Sequence, residues 1–125
     1  MAEHVPEYIR EHGPLQTDLR QVRLADELRT LHQEPAWQRG ERAARTLVKQ
    51  GDLRVVLTAM RSGTSLKEHS AEGALTIYCV DGRMQVSAAG CTLDLQPGDL
   101  IALDGGVQHS VDATLDCAFL LTIAQ

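Results

Sequence analysis

Two histidines, His69 and His109, are the residues whose type and setting could do chemistry in this chain. Each lies among short apolar runs that are separated by turn glycines. An imidazole can ligate a divalent transition metal, and it can exchange protons because histidine titrates near neutrality. Two imidazoles alone hold a metal weakly, so a metal site would need further ligands. Glu72 and Cys79 are the nearest candidates for such replacement ligands.

An acid–base role would require a carboxylate that orients one of the two imidazoles. Asp112 is the acidic residue nearest to His109, but the two differ in parity along a strand, so they would face opposite sides. The sequence therefore identifies no confident catalytic residue. The cysteines Cys79, Cys91 and Cys117 form no C-x-x-C pair, which favours small core side chains over nucleophiles.

Short strands separated by turns must position these histidines. From about residue 43 onward, apolar runs of three to eight residues alternate with turns such as Asp81-Gly82 and Pro97-Gly98-Asp99. Eight or nine short strands at this spacing predict an all-β sandwich or barrel. The predicted runs are 46–48, 53–60, 66–69, 75–80, 83–88, 91–95, 100–103, 108–111 and 117–123.

The residues before the strands carry a helical pattern. Apolar side chains recur every three residues, which predicts a helix with an apolar stripe. Thr17-Asp18 offers the N-cap, and Pro35 is expected to close the helix. The stripe consists of Leu19, Val22, Ala25, Leu28 and Leu31. We therefore divide the chain into an N-terminal arm (1–16), a helical segment (17–42) and a barrel (43–125).

The spacing of glycines and histidines resembles the two motifs of the cupin superfamily. Gly63, then His69 and Gly82, resemble the first motif, while Gly98, Gly106 and His109 resemble the second. Metal-binding cupins carry a second His and a Glu in the first motif, where this chain has Ala71 and Leu75. In the second motif, Asp104 and Ala113 stand where a Pro and an Asn are usual. Six of ten motif positions match over residues 63–113.

The resemblance implies a small single-domain cupin of the RmlC-like type. Its fold would be a double-stranded β-helix, that is, a jelly-roll barrel, with an N-terminal helical segment. It implies a pocket at the barrel centre and commonly a homodimer formed by sheet pairing. Strand parity would then direct one set of side chains into the barrel. This set of ligand-pocket residues is His69, Ala71, Leu75, Ile77, Cys79 and His109.

Two functions remain open at this point. The first is a non-enzymatic or regulatory protein that binds a small molecule in the barrel, with a degenerate metal site, and the missing ligands at Ala71 and Leu75 favour it. The second is a metal-dependent dioxygenase or isomerase that uses His69 and His109 with replacement ligands. In that case a divalent transition metal would be the cofactor. Both histidines could also be hydrogen-bonded residues at the edge of the core without a function.

Composition excludes several other classes. The chain has 125 residues, 43% of them apolar, which predicts one globular domain. Its net charge is −5, and residues 51–125 hold four basic against nine acidic residues, which argues against nucleic-acid partners. No run of 18 apolar residues and no signal peptide is found, so we expect a cytoplasmic protein without a membrane segment.

Overall fold

The computed structural model describes residues 19–124, and these form two short helices followed by nine strands. The predicted arm at residues 1–16 and the predicted cap at Thr17-Asp18 lie outside the described residues. The helices are α1 (Leu24–Leu31) and α2 (Pro35–Gln38). The strands are β1 (Ala43–Gln50), β2 (Leu53–Met60), β3 (Ser65–His69), β4 (Ala74–Asp81), β5 (Met84–Ala88), β6 (Cys91–Leu95), β7 (Leu100–Leu103), β8 (His109–Ala113) and β9 (Cys117–Ala124).

The strands form two antiparallel sheets that pack against each other. One sheet has the order β1-β2-β9-β4-β7, and the other has the order β3-β8-β5-β6. Most neighbouring strands in the sheets are not consecutive in sequence; β9, for example, lies between β2 and β4. This order is that of a jelly roll, in which the chain crosses repeatedly between the sheets. The all-β prediction with a small helical segment is therefore confirmed.

The barrel interior is filled with aliphatic and sulfur-containing side chains from both sheets. Ile77 and Met60 come from the five-stranded sheet, while Val86 and Val111 come from the four-stranded sheet, and each is at most 1% exposed. Such burial contributes roughly 1.5–3 kcal/mol for each large apolar side chain. Phe119 is the single phenylalanine and belongs to the same cluster. The scarcity of aromatic residues thus leads to a core that is mainly aliphatic.

A second apolar cluster lies on the outside of the five-stranded sheet, beneath the helices. Leu31 and Trp37 pack there against Leu47 and Leu57 of the first two strands. The ion pair between Glu27 of α1 and Arg45 of β1 spans 2.9 Å and joins the helix to the sheet edge. The helices therefore cover the outer face of β1, β2 and β9.

The first helix is shorter than the apolar stripe predicted. It begins at Leu24, and Leu19 is 53% exposed while Ala25 is also exposed. Val22 contacts the second cluster but precedes the helix. The predicted helix was thus wrong before Leu24. Apolar spacing gives a stable helix only where the apolar face packs against another surface.

Pro35 does not close the first helix as expected. That helix ends at Leu31, and Pro35 begins α2, with Glu34 as its N-cap residue. Proline suits the first helical position because its missing N–H would have no partner there. The one-turn helix that follows places Trp37 in the second cluster, where it is 6% exposed. Neither helix between residues 19 and 124 is long and apolar enough to span a bilayer.

Candidate functional site

A one-residue register shift brings His69 and His109 face to face. Leu66 pairs with Val111, and His69 pairs with His109, so three steps along β3 match two steps along β8. The extra residue is a β-bulge, which turns both Leu66 and His69 toward the same side of the sheet. The two imidazole rings lie with their centroids 4.2 Å apart and their planes inclined by 57°.

Backbone carbonyls fix the tautomer of both histidines. Nδ1 of His69 lies 2.9 Å from the carbonyl oxygen of Lys67, and Nδ1 of His109 lies 3.2 Å from that of Val107. A carbonyl only accepts hydrogen bonds, so each Nδ1 must donate one. In the neutral rings each Nε2 then keeps its lone pair, free to accept a hydrogen bond or to bind a metal ion.

The two histidines differ in burial. His109 is 1% exposed and belongs to the interior, whereas His69 is exposed at the barrel mouth. Burial lowers the pKa of His109 below its usual value, and the neighbouring His69 lowers it further, while the hydrogen bond to Val107 acts in the opposite direction. The buried ring is therefore neutral at physiological pH.

Gly105 and Gly106, which lie shortly before His109, contact the loop that follows His69. The backbone N–H of Gly106 donates a 2.7 Å hydrogen bond to the carbonyl oxygen of Ala71. The backbone of Glu72 packs so tightly on Gly105 that no Cβ atom would fit there. These contacts join the β3–β4 loop to the β7–β8 loop, and the joined loops form one rim of the barrel mouth.

A cavity of about 310 Å³ opens at this mouth and has a mixed lining. The apolar part comes mainly from β4 and β9 of the five-stranded sheet, and the polar part comes from β2, the end of β3 and the β3–β4 loop. Its lining residues are Arg54, His69, Ser70, Ala71, Glu72, Leu75, Leu121 and Ile123. A volume near the low end of ordinary ligand pockets suits a small organic molecule.

The structure places three of the six predicted pocket residues at this cavity, namely His69, Ala71 and Leu75. His109 lies directly behind His69. Ile77 and Cys79 face inward as their parity predicted, but they are at most 1% exposed within the packed core and do not line the cavity. A barrel of this size fills its interior with its own side chains, and the assignment of these two residues to a ligand pocket stays a prediction.

The side chains at the mouth do not form a complete metal site. Among the described side chains of residues 19–124, which do not include that of Glu68, no group of three or more His, Cys, Asp or Glu residues could hold an ion. The cysteine suggested as a ligand, Cys79, points its Sγ at the carbonyl oxygen of Asp81 at 3.6 Å, and burial raises the pKa of its thiol. Glu72 lines the cavity but does not complete a cluster with the histidines. The donor set is two Nε2 atoms, which does not fit a resident metal ion.

Sequence reasoning missed Arg54, which is the basic residue that lines the cavity. Alternation along Leu53–Met60 places it on the same face as Val56, Thr58 and Met60. That signal was available in the sequence, but parity alone does not say which face of a strand points inward. Leu121 and Ile123 were missed for the same reason.

Two packed antiparallel sheets, with His69 at the mouth of a cavity and His109 behind it, define a small jelly-roll barrel. The family model of the cupin domain matches residues 56–123, which is more than half of the 125 residues. The chain therefore belongs to the cupin domain family, as its motifs predicted. No curated protein matches the sequence.

Solved structures of the same fold are numerous. A conserved protein of unknown function from Streptococcus pyogenes is 22% identical with a TM-score of 0.65, over 69% of this chain and 75% of that one. A cupin-2 domain protein from Shewanella frigidimarina is 15% identical with a TM-score of 0.66, over 83% and 94%. Salicylate 1,2-dioxygenase from Pseudoaminobacter salicylatoxidans is 21% identical with a TM-score of 0.72, over 82% of this chain but 32% of its own. These likenesses establish the fold.

Proposed function

We propose that this protein binds a small organic molecule in the mouth of its barrel, without a resident metal ion and without catalysing a reaction. The observation that carries the proposal is the cavity next to His69, in which Ala71 and Leu75 stand at the two positions of the missing ligands. Apolar walls with a few fixed polar groups are typical of binding pockets. The ligand would gain affinity from burial against Leu121 and Ile123, and orientation from the histidine.

The hydrogen-bonding pattern supports binding over acid–base catalysis. Both Nδ1 atoms donate to backbone carbonyls, so neither ring is oriented by a carboxylate among the described residues. Asp112, which parity had excluded, instead accepts a hydrogen bond from the hydroxyl of Ser65. A histidine that acts as a general base gains much of its strength from an orienting anion. The Nε2 of His69 is better suited to accept a hydrogen bond from a ligand.

Methyl-resolved NMR of the full chain tests this proposal. Benzamide and hexanamide, added as neutral probes, should shift the methyl resonances of Leu75, Leu121 and Ile123. The variant Ala71→Leu fills the mouth and should abolish these shifts. Ala25→Leu makes the same change at an exposed site on α1 and should preserve them. Shifts that survive in Ala71→Leu would place the binding elsewhere and contradict the proposal.

A metal-dependent dioxygenase or isomerase is the second candidate. It is favoured by the two unengaged Nε2 atoms and by the fold shared with a salicylate dioxygenase. Elemental analysis of the purified protein separates the two candidates. A stoichiometric transition metal, lost from His69→Ala and His109→Ala, would favour the enzyme. A metal-free protein that still binds the neutral probes would favour the binding function.

A further inference from the structure

We propose that the occupant of the cavity is a small monocarboxylic acid, and that the guanidinium group of Arg54 binds its carboxylate. This inference rests on the proposed function, because it names the ligand class of the same cavity. It is carried by the position of Arg54 in the sheet and by its lack of a partner among the described side chains.

Strand pairing places Arg54 on the inner face of the five-stranded sheet. Arg54 of β2 pairs with Ile123 of β9, and Ile123 pairs with Leu75 of β4. Residues that are directly opposite in neighbouring strands point to the same side of a sheet. Both Ile123 and Leu75 belong to the barrel core, so Arg54 extends their row toward the mouth.

Arg54 has no hydrogen-bond or ion-pair partner among the side chains that the structure describes, which exclude that of Glu68. Most arginines of residues 19–124 hold a carboxylate, as Arg61 does with Asp116 and Arg83 does with Asp94. These three arginines and Lys67 are the four basic residues of 51–125. Arg54 is exposed at the rim beside an apolar wall, in an acidic half of the chain, where its guanidinium group can bind an anionic partner from outside. The planar guanidinium matches a carboxylate through two parallel hydrogen bonds.

The other lining residues narrow the class of anion. The wall formed by Leu75, Leu121 and Ile123 would pack against a hydrocarbon or aromatic body. Glu72 lines the same cavity and would repel a second negative charge. A monocarboxylate with an apolar body therefore fits better than a phosphate or a dicarboxylate. His69 can accept a hydrogen bond from a hydroxyl or amide on that body through Nε2.

Two matched probe pairs test the inference, benzoate with benzamide and hexanoate with hexanamide. The members of each pair have similar size and differ in charge. Dissociation constants would be measured from the methyl shifts of Leu75 and Ile123 in wild type, Arg54→Gln and Lys49→Gln. Lys49 of β1 pairs with Arg54 of β2 and lines the neighbouring groove, together with Arg54, but not the cavity itself. It therefore controls for general charge attraction. Glu72→Gln forms a fourth arm.

Wild type should bind each acid about tenfold more tightly than its amide, as one charge-assisted contact at a solvated rim allows. Arg54→Gln should reduce the affinity for each acid to about that of its amide. Lys49→Gln should keep the preference for the acids, and Glu72→Gln should increase it. If Arg54→Gln keeps the preference for the acids, or if Lys49→Gln removes it equally, the inference is overturned. Binding of the amides would still support the cavity as a binding site. Methyl shifts from none of the four probes would overturn the proposed function together with the inference.

Discussion

The guanidinium carbon of Arg61 lies 3.8 Å from the centroid of the Trp37 ring. The same side chain donates hydrogen bonds to the carbonyl oxygen of Trp37, at 2.8 Å from Nη2, and reaches Asp116 at 3.2 Å. Arg61 immediately follows β2, so it clamps the helical segment onto the end of the barrel. These polar contacts attach the helical segment to the barrel in addition to the apolar cluster beneath the helices.

Arg61→Ala should lower the free energy of unfolding by about 2 kcal/mol, because a cation–π contact and two or three hydrogen bonds are lost. Urea unfolding followed by the fluorescence of Trp37, the single tryptophan, measures this directly. Asp116→Asn removes only a partly exposed ion pair and should cost about 0.5 kcal/mol. A larger loss in Asp116→Asn than in Arg61→Ala would show that the clamp depends on the ion pair.

Restoring the two missing ligands should create a metal site. Ala71→His combined with Leu75→Glu would add an imidazole and a carboxylate to His69 and His109, giving four donors. We expect tight zinc or nickel binding in titrations of the double variant and weak binding in each single variant. Leu75 is 4% exposed, so the metal-free double variant should lose at least ~2 kcal/mol of stability.

The matched control for that design is Ala71→His with Leu75→Gln, which has nearly the same shape but no charge. It should bind the metal much more weakly. Equally tight binding by wild type and the double variant would mean that the native chain completes its site with other side chains of its own. If neither wild type nor the double variant binds the metal, the two histidines and the two introduced side chains do not point to a common site.

Gly105→Ala should disturb the rim of the cavity. A methyl group at that position collides with the backbone of Glu72, so the two loops must separate, at a cost of about 2 kcal/mol. We expect a shifted His69 resonance and weaker binding of the neutral probes. Gly90→Ala meets no neighbouring atom and carries only the strain of a φ of +77°, about 1 kcal/mol. The His69 resonance should be unchanged in Gly90→Ala, and an equal shift in both variants would contradict the steric explanation.

Stability should fall on mild acidification because His109 is buried. Its folded-state pKa lies below the unfolded value near 6.5. The unfolded chain therefore binds more protons below about pH 6.5, and the free energy of unfolding falls by at most about 1.4 kcal/mol per pH unit. Urea unfolding between about pH 5 and 7.5 measures the slope. The variant His109→Asn, whose Nδ2 takes the place of the Nδ1 that donates to Val107, should flatten it, and an unchanged slope would assign the effect to other groups.

We propose a homodimer, because the helices leave part of the five-stranded sheet uncovered. Tyr78 of β4 and Leu100 of the edge strand β7 are paired on the outer face, and they are 37% and 60% exposed. An exposed apolar edge strand offers both side chains and unpaired backbone groups to a second copy. Light scattering at micromolar concentration should give twice the chain mass, and Leu100→Glu should give the monomer. A monomeric wild type would reject the dimer.

The sequence by itself determined the strands and the family. Gly-containing turns separated apolar runs so clearly that β2, β6 and β7 have the predicted bounds. These signals are local, because a turn needs particular residue types and a half-buried strand needs alternation. The positions of Gly63, His69, Gly106 and His109 could be read in the same way, since motif spacing follows from loop lengths.

Tertiary structure decided which of these residues share a site. Period-two alternation puts Leu66 and His69 on opposite faces, and only the bulge against β8 brings His69 opposite His109. Packing density decided that Ile77 and Cys79 lie in the buried core and do not line the cavity at the mouth. The pairing of β2 with β9 decided that Arg54 lies at the mouth. Register and packing between strands distant in sequence depend on the whole set of long-range contacts, and no local pattern encodes them.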